Sequence, residues 1–229
     1  QSLREVLKQQ FDVSLYCKAI TQFLDLQHAI AHQTEVLLDI GVPDWRLEKF
    51  PNLYQQLLTH KKQHLHADGL DASEIDALSK RLPKLEHLLS QLQQYQIKTS
   101  MVQPDFHDNN MLFAKDSQKI SFIDLGEVVI SHPFFQIQNL LDQAQKHHQL
   151  HRNNARYQKI LDTLLAPYRK THTKQELMNA LAIINKLAPL YQAFSTIRLL
   201  EACDKNSVTR FYGQGKISAY LRDCITACS

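Results

Sequence analysis

The sequence predicts a mainly α-helical protein with one small β-hairpin near its centre. Only five of the 229 residues are glycine, about 2% against a usual ~7%, and helix interiors exclude glycine. Apolar residues recur at three-to-four spacing through most of the chain, which is the period of a helix. Short β-prone runs lie in the centre, between residues 98 and 123, and they interrupt that helical pattern.

Before the centre, apolar spacing predicts helix over residues 2–40 with one early interruption, and a second amphipathic helix over 53–65. Gly41 and Pro43 end the first region as a C-cap glycine and a proline stop. Two further starts are predicted at Ser73, with Asp76 three residues on, and at Pro83, whose helix extends to Tyr95.

In the centre, residues 111–114 and 119–123 are short apolar runs joined by a polar turn, which predicts a hairpin; 98–103 is a third β-prone run. Beyond residue 134 the helical period returns. Prolines at 167 and 189 are expected to punctuate the helices, which we place at 134–150, 153–166, 173–188, 189–203 and 208–227.

Composition excludes several classes of function. The formal charge is only +3 and no Lys/Arg block occurs, so we expect no nucleic-acid partner. No apolar run approaches the ~18 residues of a membrane span and the N-terminus lacks a signal peptide, so we expect no membrane partner. The four cysteines are scattered, which favours buried or free thiols in a reducing cytoplasm. Neither glycine-rich phosphate-loop motif is present.

Polar side chains crowd the two ends of the hairpin. Asp105 and Asn110 lie in the loop Gln-Pro-Asp-Phe-His-Asp-Asn-Asn before its first strand, and Asp124 follows its second strand. A hairpin returns its second strand to the starting point, so the three side chains are expected at one cleft. Two carboxylates and a carboxamide suit Mg²⁺. Asp105 is then the candidate acceptor for a hydroxyl proton.

This pattern resembles the aminoglycoside phosphotransferase and choline kinase family, whose sequences read H-G-D-x-H-x-x-N, then a strand ending in I-D, then G-D-P-x-x-D-L. Here the three read QPDFHDNN, FID and SHPFFQI, within residues 103–137. The resemblance implies the C-terminal (large) lobe of a protein-kinase-like α+β fold. It also implies ATP/Mg²⁺-dependent transfer of a phosphoryl group to a hydroxyl of a small molecule, such as an aminoglycoside-, choline- or homoserine-like acceptor.

By matching position, the resemblance makes Asp105 the catalytic base. His107 braces the loop near the phosphates, and Asn110 and Asp124 hold the Mg²⁺ that bridges the ATP phosphates. Late helices of that lobe line the acceptor pocket in the family, so Asp142, Glu201 and Asp204 are weak candidates for binding a cationic acceptor.

The same resemblance predicts one lobe over residues 1–229, with helices at 1–97, the catalytic loop and metal-binding hairpin at 98–137, and C-terminal helices at 138–229. Nothing before residue 103 is typical of the family's N-terminal ATP-binding sheet, and the chain begins at Gln1 without methionine. We therefore expect the ATP-binding lobe to be absent and the 229-residue chain alone to be inactive.

Three of the departures from the family pattern lie in the catalytic loop or behind it. Gln103 and Pro104 replace the opening histidine and glycine, and Gln136 replaces the late aspartate. Two amides can still hydrogen-bond to each other or to loop backbone. We therefore predict that Gln103 and Gln136 form a swapped structural pair behind the loop.

Other chemistry-bearing residues have simpler interpretations. The histidines at 60, 64 and 66, and those at 147, 148 and 151, are expected on solvated polar faces, with a zinc site as the alternative. Trp45 is expected to be a packing anchor, with substrate contact as the alternative.

Two other functions stay open at this point. One is a kinase-like binding or scaffold module that has lost catalysis, which the altered brace residues favour. The other is a helical interaction domain in which the motif is accidental.

Overall fold

A computed structural model describes residues 1–202 and 214–227 of the chain. The described part is mostly helical with a few short strands, so the mainly α prediction with a central hairpin is confirmed. Its α-helices, numbered in chain order, are α1 Leu3–Gln9, α2 Val13–Ile30, α3 Thr34–Asp39, α4 Phe50–His60, α5 Lys62–Ala67, α6 Ala72–Ser79, α7 Leu82–Gln93, α8 Phe134–His148, α9 Ala155–Leu165, α10 Lys174–Ala202 and α11 Lys216–Ala227. No described helix is both long and apolar enough to cross a bilayer.

The strands form two small sheets. The strands are β1 Asp44–Trp45, β2 Ser100–Val102, β3 Met111–Ala114, β4 Lys119–Phe122 and β5 Val129–Ser131. Strands β3 and β4 make the predicted hairpin, in a register that pairs Met111 with Phe122 and Ala114 with Lys119. The second sheet has the order β1-β5-β2, and its strands β1 and β5 were not predicted.

The chain divides into two compact units. The first contains residues 1–44 and 97–178, and the second contains residues 45–96 and 179–229. In the first unit α2 packs against α9, and the loop that contains Asp105 connects β2 to the hairpin. In the second unit Trp45 is 6% exposed and packs edge-on against Tyr191 and Phe194. The prediction that Trp45 is a packing anchor is confirmed.

Helix α6 begins differently from the prediction. Its N-cap is Asp71 rather than Ser73, because the Asp71 carboxylate accepts the backbone N–H of Glu74 and the Glu74 side chain accepts that of Asp71. This reciprocal pair is a capping box, which satisfies two of the N–H groups that a helix start leaves unpaired. The Ser73 hydroxyl donates to the same Asp71 carboxylate, so Ser73 supports the cap.

Pro189 does not end a helix, contrary to the prediction of separate helices at 173–188 and 189–203. It lies inside the continuous helix α10. Proline removes one backbone hydrogen bond from a helix interior and usually breaks it. The side chains on either side of it, Leu187, Leu190 and Tyr191, are all buried, and this packing holds the helix together across the proline. Of the tail predicted as helix, residues 216–227 are helical and 208–213 lie outside the described residues.

Candidate functional site

The loop after β2 begins with a tight turn that Pro104 favours. The N–H of Phe106 donates to the carbonyl of Gln103 at 3.2 Å, which closes a four-residue turn with Pro104 in its second position. Proline's fixed φ suits that position, and its missing N–H is not needed there. Pro104 therefore fits this turn without removing a hydrogen bond from it.

Three successive residues of the loop separate its polar side from its buried side. Phe106 is 2% exposed and packs against Phe23 with ring centroids 4.0 Å apart. The Asp105 side chain is 41% exposed, and its Oδ2 lies 3.3 Å from Nε2 of His107. The buried Phe106 therefore anchors the loop to Phe23, and the partly exposed Asp105 lies beside His107 on the opposite side of the loop.

Asn110 links the loop to both other candidate residues. Its side-chain Nδ2 donates to the backbone carbonyl of Asp105 at 3.1 Å, and its own carbonyl accepts the N–H of Ile123 at 3.0 Å. Because Ile123 immediately precedes Asp124, hydrogen bonds connect the segments that carry Asp105, Asn110 and Asp124. Within the described residues, Oδ1 of Asn110 accepts no hydrogen bond.

Asp124 adopts an unusual backbone conformation. Its φ of 59° and ψ of 46° are left-handed, a region that non-glycine residues rarely occupy and that is tolerated best by Asn and Asp. Its carbonyl oxygen accepts a hydrogen bond from Nε2 of Gln103, while its side chain lies in an exposed position. Such strained residues are over-represented at functional sites.

Behind the loop, three buried glutamines form one hydrogen-bonded cluster. Oε1 of Gln136 accepts the backbone N–H of Gln103 at 3.2 Å and Nε2 of Gln27 at 3.2 Å. Gln27 also donates to the carbonyl of Met101 at 2.6 Å. The predicted pairing of Gln103 with Gln136 is confirmed, in the form of a side-chain oxygen on a backbone N–H. Gln27, which lies 109 positions before Gln136 and carries no local signal, was missed.

A second buried cluster holds the other side of the loop. The Asp108 carboxylate accepts Nε of Arg4 at 2.7 Å and bonds Nε2 of His148 at 2.5 Å. Burial acts to raise the pKa of Asp108, but the hydrogen bonds from His148 and Arg4 outweigh it and leave that pKa below its usual value. Burial, reinforced by the negative charge of Asp108, raises the pKa of the nearby Tyr16. Sequence reasoning missed Asp108 and Arg4 entirely.

The histidine predictions have mixed outcomes. His60, His64, His66 and His151 are exposed, which confirms a polar surface there. His148 is not on a solvated face, because its side chain is only 2% exposed and pairs with Asp108. Within residues 1–202 and 214–227, no three His, Cys, Asp or Glu side chains are grouped so as to hold a metal ion.

The candidates for binding the acceptor belong to different parts of the chain. Asp142 belongs to the first unit, where both its carboxylate oxygens accept Nε2 of Gln138. Glu201 belongs to the second unit, where it forms an ion pair with Lys61. Asp204 lies outside the described residues. Of the cysteines, Cys17 and Cys224 are buried thiols as predicted, and Cys203 and Cys228 lie outside the described residues.

The donor atoms near the loop fit a hard cation better than a soft one. Asn110 offers its Oδ1 and Asp124 its exposed carboxylate, and both are oxygens. Mg²⁺ is usually held by one or two protein carboxylates together with water and phosphate oxygens. Two protein ligands are therefore compatible with Mg²⁺ bound together with a nucleotide, although they would not form a cage that holds the ion alone.

Comparison with known proteins identifies no family for this chain. No protein-family model matches the chain, and no curated protein is detectably similar to it in sequence.

Proposed function

We propose that the chain is the large lobe of an ATP- and Mg²⁺-dependent phosphotransferase that acts on a hydroxyl group of a small molecule. The observation that carries the proposal is a pair of hydrogen bonds made by Asn110. The Asn110 side chain donates to the Asp105 backbone carbonyl, and the Asn110 backbone carbonyl accepts the N–H of Ile123. They join the segment that carries the candidate base to Asn110 and to the residue that immediately precedes Asp124.

Asp105 has the chemistry of a general base for a hydroxyl. Its carboxylate is partly exposed, so an acceptor can approach it, and Oδ2 has His107 Nε2 as a neighbour at 3.3 Å. During transfer the hydroxyl proton would pass to the Asp105 carboxylate while the hydroxyl oxygen attacks the γ-phosphorus of ATP. The bond from that phosphorus to the β,γ-bridging oxygen would break, and ADP would leave. The His107 ring would keep the carboxylate in one orientation through that contact.

Asn110 and Asp124 would hold the metal. Their backbone positions are set by the Ile123-to-Asn110 bond and by the bond from Gln103 to the Asp124 carbonyl. When bound, Mg²⁺ would neutralise charge on the transferring phosphates, which is the main contribution of metals in phosphoryl transfer.

The test is a screen of hydroxyl and amino-alcohol acceptors with ATP and Mg²⁺, using the full-length protein that contains this chain. Aminoglycosides, choline, ethanolamine, homoserine and sugars should be included, and ADP formation that depends on an acceptor is the expected result. The 229-residue chain alone serves as a comparison, and we expect it to be inactive. Acceptor-dependent turnover by the short chain would contradict that expectation, and its absence from the full-length protein would contradict the proposed activity.

A binding or scaffold module without catalysis is the second candidate, and the glutamine cluster favours it. Gln27, Gln103 and Gln136 are uncharged, whereas the family pattern has a histidine and an aspartate at the last two positions. Calorimetric titration of the full-length protein with ATP, with and without Mg²⁺, separates the candidates. Mg²⁺-dependent nucleotide binding favours the phosphotransferase, and binding that ignores Mg²⁺ or fails altogether favours the scaffold.

A further inference from the structure

Asp108 lies in the same loop as Asp105 and Asn110 but on its opposite, buried side. Its side chain is 1% exposed, against 41% for Asp105. Each carboxylate oxygen has its own donor, with Arg4 Nε on Oδ1 at 2.7 Å and His148 Nε2 on Oδ2 at 2.5 Å. A short turn of 3-10 helix, Asp108–Asn110, connects this anchor directly to the candidate metal ligand.

The partners of Asp108 come from two helices that are distant in sequence. Arg4 lies on α1, and its Nη2 donates to Oε1 of Gln143 on α8 at 3.3 Å. His148 is the last residue of α8, and its ring packs against those of Phe11 and Tyr16. Arg4 is itself only 14% exposed. The carboxylate thus fastens the loop to both helices at once.

Stability alone is a weak explanation for such a cluster. Removing charges from water is costly, and replacing a buried ion pair with apolar residues is often neutral or stabilising. A carboxylate with two directional donors, in contrast, permits only a narrow range of positions for the residue that carries it. The consequence of the cluster is therefore expected in the geometry of the loop.

We propose that Asp108 is a positioning residue. Arg4 and His148 hold the Asp108 carboxylate, and Asp108 in turn sets the orientation of the segment 105–110. In that orientation the Asn110 side chain reaches the Asp105 carbonyl, and Asp105 and Asn110 are positioned for phosphoryl transfer. This inference rests on the proposed phosphotransferase function for its catalytic consequence. Its structural part, the control of the Asn110-to-Asp105 bond by Asp108, can be measured without any activity.

The first measurement is the ¹⁵N NMR signal of the Asn110 side-chain amide in the 229-residue chain. We expect Asp108→Asn to shift or broaden this signal, since the amide would leave the Asp105 carbonyl for part of the time. Asp116→Asn removes the same charge from an exposed turn and should leave the signal unchanged. If Asp108→Asn does not fold, His148→Leu and His148→Gln replace it. Glutamine keeps a donor for Asp108 and should preserve the signal better than leucine.

The second measurement is the acceptor-dependent turnover of the full-length protein. Misplacing a catalytic group by about 1 Å costs about 10²-fold in rate, so Asp108→Asn should lower kcat by about that factor and change the acceptor KM much less. Recovery of kcat in Arg4→Lys relative to Arg4→Met would support positioning by a charged donor. If Asp108→Asn lowers the melting temperature but its folded fraction keeps the wild-type kcat, the catalytic part of the inference is overturned.

The outcomes separate the two proposals. An unchanged Asn110 signal in a folded Asp108→Asn or His148→Leu variant overturns the positioning role, whatever the activity. A changed signal together with no turnover by the wild-type full-length protein upholds the control of the loop and rejects the phosphotransferase. A changed signal with normal kcat in Asp108→Asn overturns the catalytic part of the inference.

Discussion

The side-chain oxygen of Gln136, on α8, accepts the backbone N–H of Gln103 at the end of β2. Both residues are almost fully buried, at 3% and 0% exposed. A neutral amide thus satisfies a buried backbone donor at the start of the loop that carries Asp105. The same oxygen also accepts a hydrogen bond from Gln27 Nε2. Removing the Gln136 oxygen would therefore leave both donors without this acceptor.

Gln136→Met is expected to destabilise the protein. Methionine has a similar volume but no strong acceptor, so the Gln103 N–H would stay buried without a partner, a loss of about 1–3 kcal/mol in the free energy of unfolding. Urea denaturation of the 229-residue chain measures it. The control is Gln138→Met, two residues along the same helix, where the side chain bonds the exposed Asp142. Equal effects of both substitutions would contradict the role given to Gln136.

Asp105→Asn should abolish most phosphoryl transfer while leaving the fold intact. The carboxamide has nearly the same shape but cannot take the hydroxyl proton, and loss of a general base costs about 10²–10⁴-fold in rate. The side chain is partly exposed, so the melting temperature should hardly change. Turnover of the full-length protein is compared with that of Asp116→Asn, an exposed acid in the hairpin turn. Unchanged turnover in Asp105→Asn would reject Asp105 as the base.

His132 should make the protein less stable as the pH falls below about 6.5. Burial lowers the pKa of His132 to about 3, so the folded state keeps the ring neutral while the unfolded state, with a pKa near ~6.5, binds a proton. The free energy of unfolding therefore rises with pH between these two pKa values. At pH 5 the neutral ring lowers the free energy of unfolding by about 2 kcal/mol relative to neutral pH.

His132→Asn tests this dependence. Nδ1 of His132 accepts the N–H of Phe134 at 3.2 Å, and the asparagine oxygen can accept the same N–H two residues on. Denaturant unfolding at pH 7 and pH 5 should show a smaller decrease for the variant, by about 2 kcal/mol. Parallel decreases in the two proteins would show that other groups cause the pH dependence.

Asp68→Ala should loosen the start of helix α11 in the second unit. Its carboxylate accepts the N–H groups of Gly215 at 2.9 Å and Ser218 at 2.7 Å, and thus caps a helix that begins about 150 positions later. Loss of a side-chain cap costs about 0.5–2 kcal/mol. Hydrogen exchange at Ser218, and urea denaturation, should both report the change. Asp76→Ala, an exposed acid paired with Lys80 four residues on, should have little effect on either.

Local patterns predicted the hairpin accurately and β5 not at all. Residues 111–114 alternate between buried and exposed, and a polar turn follows them, so both the strand and its partner have local signals. All three residues of β5 are buried, so no alternation distinguishes them from the start of a helix. β5 forms because β2 and β1 lie on either side of it, which is a non-local condition.

The candidate site was predictable where its residues are neighbours along the chain. Asp105, His107 and Asn110 lie within one loop, and the return of the hairpin brings Asp124 back to it. The hydrogen bond between Gln103 and Gln136 required the resemblance to a known pattern, and the third glutamine, Gln27, had no signal. The left-handed conformation of Asp124 was not predicted either, because aspartate is common in many kinds of turn.

The sequence by itself determined the helical class, the hairpin and the polar loop, because these depend on spacing, turn residues and composition over a few positions. Only the tertiary structure decided that Asp108 is an anchor rather than a surface acid, that His148 is buried, and that Pro189 lies inside a helix. The physical reason is the same in each case. The free energy of a buried charge or an interrupted helix depends on partners far away in sequence: Arg4 lies 104 positions from Asp108 and His148 lies 40.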